Sequence, residues 1–194
     1  MPELRHQTVV IVAGPPGAGK STVARPIARA IGAASIDIDE TFGPVVPLLV
    51  GHPREPVRAA IYASLLATAE TSLAAGLHVV VAAPFTAERR DPDAWERLST
   101  RLAARGARTV LVWIHAPAHQ LLERLAARGA SRDAEKLADP AAWVREAELP
   151  PSVPHVAIET TGTTERAVEQ ILRELGARDR VLVPASGEKC SFSV

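Results

Sequence analysis

Residues 14–21 read Gly14-Pro15-Pro16-Gly17-Ala18-Gly19-Lys20-Ser21, and they follow directly on the apolar, β-branched run 8–12. A strand that leads into such a loop fits the phosphate-binding pattern G-x-x-x-x-G-K-[ST]. The glycines let backbone N–H groups point inward, and the start of the following helix adds its positive dipole end. Lys20 is predicted to reach the β- and γ-phosphates, and the Ser21 hydroxyl to ligate the Mg²⁺ that bridges them, with Thr22 next to it. The stretch therefore predicts a nucleoside triphosphate site.

Length and composition predict one domain with an aliphatic core. The chain has 194 residues, of which 47% are hydrophobic and only 4% aromatic, and a chain of this size needs no disulfide or structural metal to hold its core. Basic and acidic residues number 22 each, so bulk charge attracts neither nucleic acid nor an anionic membrane. Cys190 is the only cysteine, which favours a reducing compartment. No apolar run approaches the roughly 20 residues that span a bilayer. We therefore expect a cytoplasmic protein.

Strand and helix patterns alternate along the chain, which is typical of a parallel sheet with right-handed crossovers and helices around it. Between residues 43 and 56 the chain carries prolines at 44, 47, 53 and 56, which predicts an ordered but irregular connection. Residues 177–194 hold one further apolar run and are predicted to form a tail that can add an edge strand. The predicted strands are 8–12, 35–39, 77–83, 109–114 and 156–159, and the predicted helices are 22–31, 57–73, 92–104, 118–127 and 165–175.

Two acidic residues close the second predicted strand. In a parallel α/β sheet, ligands bind beyond the carboxyl ends of the strands, and a spacing of two would place Asp37 and Asp39 on the same face. Phosphoryl transfer to a hydroxyl needs a carboxylate that orients the attacking oxygen and takes its proton, and Mg²⁺ needs oxygen ligands. The two residues are predicted to divide these tasks. The alternative is that one or both cap a helix or lie solvated in a loop, because Asp-Glu before Thr-Phe is also an ordinary helix start.

A basic stretch lies between residues 123 and 136, where cations recur every four residues. On one continuous helix they would repel one another by roughly a few tenths of a kcal/mol per pair. The sequence Gly129-Ala130-Ser131 interrupts the pattern, which favours a short lid over about residues 124–137 that closes over the triphosphate. The alternative is a solvated helix face whose cations pair with Glu123, Asp133 and Glu135. The cations of the predicted lid are Arg124, Arg128, Arg132 and Lys136.

Polar residues beside two other connections are candidates for binding an acceptor, although surface solvation explains such residues about as well. The histidines show no pairing at metal-ligand spacing, so no zinc site is predicted. The three tryptophans lie on predicted helices or strands, which favours core positions. The acceptor candidates are His52, Arg54 and Arg58, which flank the proline-rich connection, and Thr86, Arg89 and Arg90, which follow the third strand.

The loop at Gly14, the strand end Asp37-Ile38-Asp39 and the basic stretch 123–137 together resemble the small P-loop kinases related to nucleoside monophosphate kinases. That group includes shikimate kinase, gluconate kinase and chloramphenicol phosphotransferase. The resemblance covers about residues 7–176. It implies a three-layer α/β P-loop NTPase fold, in which a five-stranded parallel sheet of order 2-3-1-4-5 has helices on both faces and a short lid.

The resemblance also implies roles for particular residues. It makes ATP and Mg²⁺ the cofactors, with arginines of the lid touching phosphates. Asp39 becomes the base or the group that holds the acceptor hydroxyl, and Asp37 a water-mediated partner of Mg²⁺, although the two could be exchanged. Adenine is expected to rest against the loop after the last strand, residues 160–164, which includes Thr161 and Gly162.

One departure from the group argues against shikimate as the acceptor. Shikimate kinase has a glycine-rich loop after the third strand, whereas residues 82–86 of this chain read Ala-Ala-Pro-Phe-Thr.

The sequence thus predicts an ATP- and Mg²⁺-dependent phosphotransferase that moves the γ-phosphoryl group to a hydroxyl of a sugar, a nucleoside or an antibiotic-like metabolite. Its kinase domain is expected over residues 1–176, with an acceptor-side insert over about 43–75, in a monomer or homodimer. Two alternatives stay open. One is a nucleotide-dependent switch that hydrolyses ATP to drive a partner, and the other is a polynucleotide-end or toxin-like kinase. Neutral net charge argues against a polynucleotide acceptor.

Overall fold

Five parallel strands form one sheet, and their order β2-β3-β1-β4-β5 confirms the predicted topology. The computed structural model describes residues 4–129, 133 and 137–181. The middle strand β1 is buried along its whole length, and its Ile11 pairs in register with Val81 on one side and Leu111 on the other. Burial on both faces explains why its sequence is a continuous apolar run. The strands are β1 (Thr8–Ala13), β2 (Ala33–Asp37), β3 (His78–Ala82), β4 (Arg108–His115) and β5 (Val156–Glu159).

The long predicted helices are all present, and the structure adds three short ones. Two of these have only five residues, which is too short for a helical period to be visible in the sequence. The last helix continues through Gly176, which was predicted to end it, to Val181. The rest of the predicted tail, 182–194, lies outside the described residues. The helices are α1 (Lys20–Ile31), α2 (Ile38–Phe42), α3 (Arg54–Ala74), α4 (Thr86–Arg90), α5 (Pro92–Ala103), α6 (Ala118–Arg128), α7 (Pro140–Ala147) and α8 (Thr164–Val181).

Two apolar clusters, one on each face of the sheet, hold the helices in place. Helices α1 and α8 pack on one face, where Ile27 and Ile171 are fully buried. Helices α3 and α5 pack on the other face, where Leu65 and Leu102 are fully buried. Alternate side chains of each strand supply the two clusters, because neighbouring residues of a strand point to opposite faces. This arrangement of helix, sheet and helix confirms the predicted three-layer architecture.

The connection from α2 to α3, residues 43–53, is irregular as predicted and contains one short 3₁₀ turn at Val46–Leu49, but residues 54–56, which were predicted to belong to it, form the start of α3. Several of its apolar side chains are exposed, among them Val50 at 83% and Leu48 at 79%. We call this segment the proline-rich connection. Within the described residues, no helix combines the length and the apolar character that crossing a membrane requires.

Candidate active site

The glycine-rich loop joins the buried end of β1 to the first residue of α1, Lys20. Gly14 lies so close to β4 that a Cβ atom there would come within 2.2 Å of the Ile114 carbonyl oxygen. Gly17 and Gly19 have φ values of +82° and +91°, a left-handed conformation that side chains with a Cβ rarely adopt. The loop therefore needs glycine at these positions, one for close approach and two for backbone shape.

Lys20 and Ser21 lie where the sequence predicted them, at the start of α1. The Lys20 ammonium donates to the carbonyl oxygens of Gly14, at 3.0 Å, and Pro15, at 3.1 Å. The lysine thus folds back along the inside of its own loop. Ser21 and Thr22 occupy the next two positions of the first turn, where free backbone N–H groups and the helix dipole favour an anion.

Arg124 fastens the phosphate loop to the loop that follows β5. Its guanidinium donates to the Gly17 carbonyl oxygen at 3.2 Å and to the Thr160 carbonyl oxygen at 2.7 Å. The Thr160 hydroxyl in turn donates to the Ala18 carbonyl oxygen at 2.9 Å. The predicted nucleotide residues Thr161 and Gly162 follow directly, and the Thr161 hydroxyl donates to Glu159. The loop predicted to support adenine is therefore joined to the loop predicted to hold phosphate.

The sequence indicated Arg124 as a site residue, but it did not indicate that Thr160 links the phosphate loop to the loop after β5. The only available signal was its position directly after a strand, which many solvated threonines share.

The two acidic residues do not lie side by side on a strand, and the prediction that β2 extends to residue 39 is wrong. Strand β2 ends at Asp37, and α2 begins with the next residue. One oxygen of Asp37, Oδ1, accepts the backbone N–H groups of Asp39 and Glu40 at 2.8 and 3.4 Å. Asp37 thus caps α2, which was the alternative considered from the sequence, and it turns Asp39 onto the first turn of a helix.

The other oxygen of Asp37, Oδ2, is buried and has no hydrogen-bond partner among the described residues. The Asp37 side chain is only 6% exposed. A buried carboxylate oxygen left in this state is costly unless a cation or a water reaches it. This carboxylate oxygen is a suitable ligand for Mg²⁺, which prefers oxygen ligands and keeps several of its waters.

An ion pair joins α1 to α2 beside these residues. Arg25, one helical turn after Ser21, donates to Glu40 at 2.5 Å. Hydrogen bonding to Glu40 and its negative charge raise the pKa of the Arg25 guanidinium above its ordinary value. Both side chains are exposed, so the pair itself contributes little to stability, but it connects the first turn of α2 with the helix that carries Lys20.

A large cavity of about 1190 Å³ opens beside the phosphate loop. Its lining includes residues from every region in which acceptor candidates were predicted. Asp37 and Arg124 do not line it. The predicted residues that do line it are Gly14, Pro15, Pro16, Lys20, Asp39, His52, Arg54, Arg58, Thr86, Arg89 and Arg128.

Tyr62 lines the same cavity and was not predicted as a site residue. Its hydroxyl accepts the Phe85 backbone N–H at 3.2 Å, and its ring meets the buried Phe85 ring edge-on, with 5.6 Å between centroids. Phe85 is the only non-glycine residue with positive φ, +44°, in the described part of the chain. Burial raises the pKa of the Tyr62 phenol above its ordinary value, and the Phe85 N–H and the positive charge of Arg58 partly offset this. Tyr62 thus supports the strained turn between β3 and α4.

Arg89 and Arg128, in the cavity wall, each make hydrogen bonds within the protein. Arg89 is 4% exposed, and its guanidinium donates to the Leu149 carbonyl oxygen at 2.9 Å. Arg128, at the end of α6, pairs with the buried carboxylate of Asp133 through Nε at 2.9 Å and through Nη2. This pairing was part of the alternative to a lid. Arg132 and Lys136, also predicted for the lid, lie outside the described residues.

The tryptophans agree with the core positions predicted for them. Trp113 on β4 is buried and stacks on His115 with 4.5 Å between ring centroids, while His155 meets it edge-on. Burial lowers the pKa of His115 below its ordinary value, and the nearby Glu159 opposes this. Trp143 is partly buried against the core and also lines the cavity.

Residues 9–148 match the model of the AAA_33 family, which is described as an AAA domain. The matched range begins in β1 and ends just after α7, so it includes the phosphate loop, both acidic residues and most of the cavity wall. No curated protein matches the chain.

Solved structures of kinases share the fold. A gluconokinase from Sinorhizobium meliloti aligns with 92% of this chain and 97% of its own, at 22% identity and a TM-score of 0.61. A sugar kinase from Janibacter sp. HTCC2649 aligns with 92% of this chain and 99% of its own, at 18% identity and a TM-score of 0.64. Shikimate kinase from Acinetobacter baumannii, solved in complex with shikimate, aligns with 93% of this chain and 97% of its own, at 19% identity and a TM-score of 0.58. At these identities the likeness establishes the fold.

Proposed function

Because this chain belongs to the AAA_33 family of AAA domains and has the fold of the small P-loop kinases, we propose that it transfers the γ-phosphoryl group of ATP, with Mg²⁺, to a hydroxyl of a small molecule. The acceptor classes that we propose are sugars, nucleosides and antibiotic-like metabolites. The gluconokinase, the sugar kinase and the shikimate-bound kinase of the same fold support a small-molecule acceptor.

One observation carries the proposal. The phosphate loop and the carboxylate of Asp39 line the same cavity, and at about 1190 Å³ that cavity is large enough for a nucleotide and a second small molecule together. Phosphoryl transfer needs little covalent chemistry from a protein, so placing donor and acceptor side by side in one cavity is most of the task. A module that only switches on nucleotide binding has no need for an acceptor-sized space beside the phosphates.

Lys20 would neutralise charge on the transferred group. Its ammonium now lies 3.0 Å from the Gly14 carbonyl oxygen, at the inner side of the loop. In the complex it would turn from the loop carbonyls toward the β- and γ-phosphate oxygens. The flexible four-carbon stem of lysine would allow this exchange.

Asp39 would hold the acceptor. It lies on the first turn of α2 and lines the cavity that the phosphate loop borders, so an acceptor hydroxyl bound to it would face the phosphates. The acceptor oxygen then bonds to the γ-phosphorus while the bond from that phosphorus to the ADP oxygen breaks, and the Asp39 carboxylate takes the hydroxyl proton.

Mg²⁺, when bound, would neutralise negative charge on the triphosphate. Ser21 is proposed to ligate it directly, and the buried Asp37 Oδ2 to hold it through water. The pairing of Asp37 Oδ1 with the N-terminus of α2 keeps that second oxygen fixed in place. Arg128 and Arg132 are proposed to contact the transferred phosphoryl group, and Arg124, Thr161 and Gly162 to support the nucleotide.

The test incubates the protein with Mg²⁺-ATP and a panel of sugars, nucleosides and hydroxylated antibiotics, and detects phosphorylated products by mass spectrometry. Transfer is expected with at least one acceptor, to be lost in Lys20→Ala, and to be retained in Arg29→Ala, an exposed position on the same helix. Asp39→Asn is expected to bind ATP but not to transfer. If no acceptor in a wide panel is phosphorylated, or if Asp39→Asn leaves all ATP turnover intact, the kinase proposal is wrong and the nucleotide-dependent switch is favoured.

A further inference from the structure

The acceptor side of the cavity differs from a sugar site in the chemistry of its wall. Toward β2 and β3 the cavity is walled by α2, the proline-rich connection and α3. Most side chains that these elements contribute are aliphatic or aromatic, for example Phe42, Val46, Val50 and Ile61. Val46 and Val50 are 49% and 83% exposed. Exposed apolar groups that line a cavity mark a surface that a ligand with an apolar body can cover.

The same wall is poor in the neutral groups that bind sugar hydroxyls. Among the described residues that line the cavity, Tyr62 and Thr86 are the only side chains with a hydroxyl, and none has an amide. The whole sequence contains no asparagine. A polyhydroxylated acceptor would find few neutral side-chain hydrogen-bond partners in this wall.

Charge in the cavity is unbalanced in favour of cations. Its described lining has five basic side chains, Lys20, Arg54, Arg58, Arg89 and Arg128, and two acidic ones, Asp39 and Asp133. Lys20 and Arg128 belong to the nucleotide side, and Arg128 pairs with Asp133. The acceptor side thus has three arginines against the single carboxylate of Asp39.

Two of these arginines are placed to hold one anion. Arg54 and Arg58 are four residues apart on the first turns of α3, so their Cβ atoms lie about 5–6 Å apart on one face of the helix. The Arg58 guanidinium rests over the Tyr62 ring, 5.8 Å from its centroid, which keeps it at the cavity wall. Paired guanidinium groups match the oxygens of a carboxylate or a phosphate.

From these features we infer that the acceptor is an amphipathic hydroxy acid: a molecule with an apolar body, one anionic group and a hydroxyl for phosphorylation. The apolar body covers the wall formed by the proline-rich connection and α3, the anionic group lies between Arg54 and Arg58, and the hydroxyl reaches Asp39. This inference rests on the proposed function, since it describes the acceptor of that same cavity.

The test measures binding by calorimetry, with the full chain, Mg²⁺ and a non-hydrolysable ATP analogue present. The probes are hydroxymethyl-aryl carboxylic acids with side arms of one to four carbons, the primary amide of each acid, and gluconate. The acid with the best-fitting arm is expected to bind at least tenfold more tightly than its amide, which lacks the charge, and than gluconate, which lacks the apolar body.

Variants separate the two parts of the inferred site. Arg58→Gln and Arg54→Gln are each expected to weaken binding of the acid roughly tenfold without changing binding of its amide. The matched control is Arg97→Gln on α5, whose side chain is 72% exposed and does not line the cavity. Val50→Ser is expected to weaken both acid and amide, whereas Leu48→Ser, in the same connection but outside the cavity lining, leaves both unchanged.

Two results overturn the inference. One is gluconate or the amides binding as tightly as the acids, and the other is no acid binding at millimolar concentration. In both cases the nucleotide analogue still binds if the proposed function is right. Absence of Mg²⁺-dependent binding of that analogue would instead count against the proposed function.

Discussion

The guanidinium of Arg124 donates to the carbonyl oxygen of Thr160 across 2.7 Å, although 36 residues separate them along the chain. The same side chain reaches the Gly17 carbonyl oxygen at 3.2 Å. Arg124 therefore ties together three segments: the phosphate loop, α6 and the loop after β5. Because these hydrogen bonds already order the phosphate loop, less conformational entropy is lost when a nucleotide binds.

Arg124→Ala is expected to lower the free energy of unfolding by about 2–3 kcal/mol, since it removes charged hydrogen bonds to partly buried carbonyl groups. ATP affinity is expected to fall roughly tenfold because the loop loses its support. Urea denaturation and calorimetry measure the two quantities. Arg97→Ala, which removes only a weak surface pair with Asp91, is the control. Unchanged ATP affinity in the Arg124 variant would show that the loop does not depend on this contact.

Gly14→Ala tests the close approach of the phosphate loop to β4. Its new Cβ would lie 2.2 Å from the Ile114 carbonyl oxygen, and we expect a loss of about 3 kcal/mol in stability together with loss of ATP binding, because the loop must move. The matched control is Gly106→Ala, where φ is +77° but no heavy atom lies within 4 Å. That substitution is expected to cost about 1–2 kcal/mol from backbone strain alone and to spare ATP binding. Equal effects on ATP binding in both variants would contradict this account.

The sheet and the phosphate loop were predictable because each depends on local patterns. A buried parallel strand such as β1 reads as an unbroken apolar run, and the loop has fixed glycine positions. The position of Asp39 was not predictable, because it depends on whether Asp37 ends a strand or starts a helix. The residues around Asp37 are compatible with either a strand end or a helix start. Only the hydrogen bonds from the backbone N–H groups of Asp39 and Glu40 to Asp37 decide between the two. Tyr62 and Thr160 were missed since their partners are distant in sequence, and nothing local marks such contacts.

The pKa of the Tyr62 phenol is expected to lie above the ordinary value of about 10, mainly because the side chain is buried. Tyr62 is the only tyrosine in the sequence, so the near-ultraviolet absorbance of tyrosinate reports on it alone. Arg58→Ala is expected to raise this pKa further, since the positive charge of Arg58 lowers it. A titration midpoint at or below that of free tyrosine would contradict the buried position of the phenol.

The same shift predicts how stability depends on pH. A folded-state pKa above the unfolded one means that the folded protein holds the phenol proton more tightly. The contribution of Tyr62 is then fully present below about pH 10 and is lost as the pH rises through the folded pKa. Wild type is therefore expected to lose more stability in this alkaline range than Tyr62→Phe, and urea denaturation at several pH values measures the difference. Equal losses of unfolding free energy in wild type and Tyr62→Phe over this pH range would contradict the prediction.

Asp37→Asn is expected to separate capping from metal binding. Asparagine caps a helix about as well as aspartate, so the free energy of unfolding should change by less than about 1 kcal/mol, whereas Asp37→Ala should lose about 1 kcal/mol with the cap. The buried Oδ2, which has no partner among the described residues, is the atom we assign to Mg²⁺, and its charge is absent in the asparagine variant. Mg²⁺ should therefore strengthen ADP binding less in Asp37→Asn than in wild type, while the affinity for ADP in the presence of EDTA stays the same.

The control is Glu40→Gln. Glu40 is an exposed carboxylate on the same turn that pairs with Arg25, and its substitution should keep the full effect of Mg²⁺. If Asp37→Asn keeps it as well, the carboxylate serves only to start α2, and the metal-side role passes to Asp39.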